Sequence, residues 1–160
     1  MCSTHDARKR KARAGRLAVT WLLDVNLILA SRWTTHADHS AVVDWLDSVP
    51  EFHTCAITEL GFVRVSLTAA YQATWDEVQE SLEALHARSG HRFLADDVDG
   101  AASPETRAKD TTDAHLISLA KKHGLKLATL DLSLIAKPWA AGVAQNPLRF
   151  SAGGRLTETT

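Results

Sequence analysis

The stretch Val19 to Leu23 (VTWLL) is almost wholly apolar and is followed at once by Asp24. An apolar run without polar alternation suits a strand buried on both faces of a parallel sheet. A carboxylate at the end of such a strand is costly to bury unless a partner or a cation compensates its charge. A second run, Leu125 to Leu130 (LKLATL), ends in the same way on Asp131.

The segments between these runs carry helical periodicity. Val25 to Ser31 opens one helix, and Ala41, Val42, Trp45 and Leu46 mark a second. Phe52 to Ile57 is a short strand candidate, after which Thr58 caps a helix whose Leu60, Val63 and Leu67 form one stripe. Trp75 to Arg88 is amphipathic through Val78, Leu82 and Leu85 and stops at Gly90. His91 to Leu94 resumes an extended run, 95–109 is an acidic loop with Pro104, and Thr111 to His123 is a helix ending at Gly124. Strands alternating with amphipathic helices imply right-handed crossovers and an α/β fold, a parallel sheet covered on both faces. Ligands bind such sheets at the carboxyl ends of the strands.

A chain of 160 residues with 45% apolar and 23% charged residues has the balance of one globular domain. We place that domain at 19–150, between a basic, loosely ordered extension (1–18) and a tail (151–160). The formal net charge of −1 gives no global pull toward nucleic acid, so polyanion binding needs a local patch or bound cations. Arg8, Lys9, Arg10, Lys11, Arg13 and Arg16 before Leu17 to Ala30 imitate a signal peptide. Asp24 and Asn26 inside the apolar stretch argue against one, and a cytoplasmic protein without a membrane segment is expected. Cys2 and Cys55 have no metal-ligand spacing and read as reduced thiols. Neither a Walker loop nor GxGxxG nor GxSxG occurs.

Glu59 and Asp113 fall in the first turns of predicted helices, Asp24 and Asp131 at strand ends. An acid in a first turn is favoured by the helix dipole by about 0.3–1 kcal/mol and needs no catalytic role. If the four carboxylates meet, their repulsion calls for a divalent cation, and all-oxygen ligation suits Mg²⁺ or Mn²⁺. Such a site at an open crevice is suited to phosphodiester hydrolysis.

LLDVNLILA (Leu22 to Ala30), ITELGFVRV (Ile57 to Val65) and TDAHLISLAKKHGLKLATLD (Thr112 to Asp131) resemble the motifs of PIN-domain nucleases, most closely of VapC-like toxins. Trp33 to Leu46 resembles the segment after the first acid in one subgroup. The resemblance covers Trp21 to Asp131. It implies a three-layer α/β/α domain with a central parallel sheet, Mg²⁺- or Mn²⁺-dependent endoribonuclease activity on RNA, a VapB-type antitoxin and a homodimer. It also assigns Asp24, Glu59, Asp113 and Asp131 to metal binding and water activation, with Asn26 and Thr129 in support. The basic extension is longer than the family needs.

Several other residues have two readings. Arg64 either contacts phosphate or pairs with a carboxylate. His36 and His39 are a metal pair or packing residues, and the cluster Arg8 to Arg16 touches RNA or is a charged terminus. Asp110 reads as an N-cap, His123 as a partner of a helix C-terminus, and Asp96, Asp97 and Asp99 as a solvated loop. Trp21 and Trp45 belong to the core or a dimer interface. Two further functions stay open: a PIN-type RNA-processing nuclease without an antitoxin, and a receiver-like or purely binding α/β module.

Overall fold

The computed structural model describes residues 19–149. The extension 1–18, with Cys2 and the Arg8 to Arg16 cluster, and the tail 151–160 lie outside the described residues. The elements run β1 (Trp21–Leu23), α1 (Val25–Arg32), α2 (His39–Ser48), β2 (Phe52–Cys55), α3 (Ala56–Ser66), α4 (Trp75–His86), β3 (His91–Leu94), α5 (Thr111–Lys122), β4 (Lys126–Ala128), α6 (Leu132–Ile135) and β5 (Ala144–Gln145). The five strands are all parallel, in the order β3-β2-β1-β4-β5.

Side chains alternate across β1, and that alternation builds the three layers. Trp21 and Leu23 join Leu27, Ile28, Val42, Leu46, Phe62, Val78 and Leu85 of α1 to α4. Leu22 turns the other way, onto Leu116, Ile117, Ala120 and Leu134 of α5 and α6. Trp21 and Trp45 meet edge to face at 5.6 Å, so both belong to the first core layer. Among the described residues no helix is long and apolar enough to cross a membrane.

Two expectations are corrected. Leu60 and Leu67 are exposed, 68% and 45%, and the buried residues of α3 are Thr58, Phe62 and Ser66. That face is stable because Trp33 stacks on Phe62 at 5.8 Å while its Nε1 donates to Ser66 Oγ at 2.9 Å. Thr58 does not precede the helix. It occupies the third helical position, where its hydroxyl accepts from the Cys55 amide at 3.1 Å. The loop acids Asp96, Asp97 and Asp99 are exposed, as read from the sequence, and two of them also have partners: Asp96 bonds His115 Nε2 at 2.8 Å, and Asp97 bonds His123 Nε2 at 2.8 Å. Strand β5 carried too short an apolar signal to be anticipated.

Two glycines are needed for geometric reasons. Gly124, at φ +67°, follows the C-cap of α5 and turns the chain into β4. Gly90 passes so close to Pro50 that a Cβ would stand 2.6 Å from its carbonyl oxygen.

Candidate active site

The chain leaves β1 toward β2 and β3, then crosses back to β4 on the other side of β1. The carboxyl ends of β1 and β4 therefore flank the topological switch point, where adjacent connections run to opposite faces and a crevice opens. Asp24 follows β1 there, and its amide donates to Ala128 O of β4 at 3.0 Å. Its carboxylate is 7% exposed. Oδ1 accepts from the Val25 amide at 2.7 Å, which caps α1. Oδ2 accepts from Asn26 Nδ2 at 3.0 Å and from Thr129 Oγ1 at 2.7 Å. Burial pushes the Asp24 carboxyl up, against the Thr129 bond, and the neighbouring Asp131 charge adds to the rise.

Asn26 and Thr129 weld the two strand ends together. Asn26 Nδ2 also donates to Thr129 Oγ1 at 3.0 Å, and its Oδ1 accepts from the Leu130 amide at 3.0 Å. Thr129 Oγ1 in turn accepts from the Asp131 amide at 3.1 Å. Thr129→Val keeps the shape but strips a buried carboxylate of its hydroxyl donor. The expected loss is about 1–3 kcal/mol in urea unfolding, with a drop in midpoint and an unchanged slope.

Asp131 caps α6 by accepting from the Ser133 amide at 2.7 Å and the Leu134 amide at 3.2 Å. Burial raises its carboxyl, but the bonds from Ser133 and Leu134 outweigh this and hold it below the ordinary value. Asp113 lies in the first turn of α5, and among the described residues no hydrogen-bond donor engages its carboxylate. Burial, followed by the charges of Asp24, Asp131 and Asp110, pushes it up to about 6. The three aspartates thus form one electrostatic unit at the switch point.

Glu59 has separate partners. Its Oε1 accepts from Thr54 Oγ1 at 2.5 Å and bonds His86 Nε2 at 2.8 Å. Arg64 is exposed in the last turn of α3, and no ion pair engages it among the described residues. His36 Nδ1 accepts from the Asp38 amide at 3.1 Å and His39 Nδ1 meets Ala30 O at 2.8 Å, so this pair fastens the α1–α2 connection. Asp110 stands at the N-cap position of α5, as read from the sequence, but its side chain makes no cap bond. Its carboxylate instead pairs with Arg107 at 3.0 Å and Lys137 at 2.9 Å, because two cations compete with the helix amides. Lys137 was not anticipated. It lies beyond the last motif, and its charge lowers both Asp113 and Asp131.

The donor chemistry fits a hard divalent cation. All three side chains offer oxygen only, and Asp113 is pushed up first by burial and then by its negative neighbours. Magnesium keeps several waters and takes one or two carboxylates, so it needs no closed protein cage.

Residues 21–139 match the family model described as the PIN domain. The chain is 38% identical to Ribonuclease VapC38 of Mycobacterium tuberculosis over 118 residues, 69% of this chain and 84% of that protein. It is 33% identical to Ribonuclease VapC39 of the same organism over 138 residues, 79% of this chain and 99% of the relative. Among solved structures, FitAB bound to an IR36 DNA fragment superposes with a TM-score of 0.58 at 22% identity, covering 84% of this chain and 99% of the other. The sarcin-ricin loop cleaving toxin VapC20 of M. tuberculosis superposes with a TM-score of 0.56 at 13% identity, covering 72% and 93%. These two likenesses concern the fold.

Proposed function

Because this chain belongs to the PIN-domain family, we propose that it is a metal-dependent endoribonuclease acting as the toxin of a toxin–antitoxin pair. The observation that carries the reading is the group of three mutually repelling carboxylates, Asp24, Asp113 and Asp131, at the switch point of the sheet. Asp24, Asp113 and Asp131 would hold Mg²⁺ or Mn²⁺, and Glu59 is the fourth acid of the proposed set. When bound, the cation would polarise the phosphoryl oxygen and lower the pKa of water.

The chain's own contribution is positional. Asn26 and Thr129 fix the Asp24 carboxylate in one orientation, so little reorganisation is needed when substrate arrives. Asp131 is held ionised by the α6 amides and serves as a permanent anion. Asp113, pushed up to about 6 by burial and by the neighbouring acids, is the carboxylate whose ionised form a bound cation would favour most. Lys137, steadied by Asp110, supplies positive charge beside the acids, where a phosphate oxygen would sit. Arg64 is proposed as a further phosphate contact. A VapB-type antitoxin, a homodimer and a cytoplasmic location complete the proposal. They rest on the VapC relatives and the sequence motifs.

The test is cleavage of structured RNAs by the purified chain in Mg²⁺, Mn²⁺ or EDTA, beside Asp24→Asn. Cleavage that needs the cation and is lost in the variant is expected. Equal cleavage by both proteins, or full cleavage in EDTA, would sink the mechanism.

A further inference from the structure

We propose that Glu59, His86 and His91 form a second cation site, of a chemistry that takes a transition-metal ion of the zinc class. Glu59 lies in the first turn of α3, His86 ends α4 and His91 opens β3. Their ligand atoms all fall within 4.8 Å of one another, the one such trio among the described residues. The other histidine–acid contacts among the described residues are pairs, Asp38 with His36, Asp96 with His115 and Asp97 with His123, which offer too few ligands.

Two imidazoles and a carboxylate are a borderline-soft donor set, unlike the all-oxygen aspartates. Zinc bonds of about 2.0–2.2 Å in tetrahedral geometry place ligand atoms roughly 3.3 Å apart. The His86 Nε2 to Glu59 Oε1 contact of 2.8 Å therefore has to open slightly, and the wider contacts to close. His86, with its side chain 41% exposed, can supply that motion and leaves an entry path. His91 is steadier, with its ring edge-on to the buried Phe52 at 5.6 Å and stacked on His86 at 4.7 Å.

Thr54 is the supporting residue. Its fully buried hydroxyl donates to Glu59 Oε1, so His91 Nε2 must be the donor in its 2.8 Å bond to Thr54. That hydroxyl holds both the carboxylate and the His91 Nε2–H, the role of an outer-shell partner in a metal site, and leaves Nδ1 as the His91 nitrogen that would take an ion. Three protein ligands leave a fourth position for water or an incoming group. An ion bound here would also engage Glu59 and withhold it from the aspartates. This last consequence rests on the nuclease reading; the binding itself does not.

The experiment titrates the untagged, EDTA-stripped full chain with Co²⁺, read by its visible d–d absorption, followed by displacement with Zn²⁺. Expected are one equivalent with a tetrahedral spectrum and an affinity loss of about tenfold or more in both His86→Gln and His91→Gln. The tetrahedral band should form within about twofold of the parent affinity in His123→Gln, a histidine outside the trio. Absence of stoichiometric tetrahedral binding overturns the site. So does unchanged affinity in His86→Gln, an exposed position whose fold is checked by circular dichroism, or an equal loss in His123→Gln. No RNA is present in the titration, so failed cleavage and failed binding are told apart.

Discussion

Asp113→Asn is expected to lower RNA cleavage by about 10²–10³-fold while making the cation-free protein more stable, by about 1–2 kcal/mol at pH 8. The two effects have one cause. Asp113 is pushed up to about 6 first by burial and then by Asp24, Asp131 and Asp110, so its ionised form is disfavoured whenever no cation is present. An amide of the same shape removes the repulsion and, with it, an anionic ligand. Steady-state cleavage in Mg²⁺ and urea unfolding in EDTA read the two halves. A variant that loses stability as well as activity would show that Asp113 is structural and would remove the case for strain at the site.

The pH dependence of stability should reveal the same group. The native carboxyl holds its proton up to about 6, whereas its ordinary value is 3.8. Between those values the folded protein binds more protons than the unfolded chain, so stability contributed by this group falls as pH rises through the window and is level above it. Asp24, also raised, acts in the same direction. Asp131, lowered, acts oppositely and at more acidic pH. The measurement is the unfolding free energy of the parent minus that of Asp113→Asn, in EDTA, across pH 4 to 8. We expect this difference to fall by about 1–2 kcal/mol as pH rises, and the trend to be erased by saturating Mg²⁺ bound to the folded state alone. A flat difference in EDTA, or one that Mg²⁺ leaves intact, would contradict a cation-binding role for the set.

The character of the elements was legible in the residues. The apolar run before Asp24 and the run before Asp131 both deliver strands whose ends face the switch point. His91 to Leu94 is a strand at the expected bounds, and α5 spans nearly the whole expected helix. The periodicity of α3 misled because two of its buried positions, Thr58 and Ser66, are polar. Their hydroxyls are satisfied by Cys55 and Trp33, partners that a hydrophobic pattern cannot register.

The site divides along the same line. The sequence by itself determined which acids stand at strand ends and first turns, because local periodicity and capping act over a few residues. Only the tertiary structure decided what those acids experience. Thr129 reaches Asp24 across 105 positions. Asp113 acquires its raised pKa from charges on other elements. Glu59 is engaged by Thr54 and His86 apart from the aspartates, with His91 beside them. Desolvation and Coulomb interaction depend on distance through space, and that distance is set by how the crossovers stack helices on the sheet, not by separation along the chain.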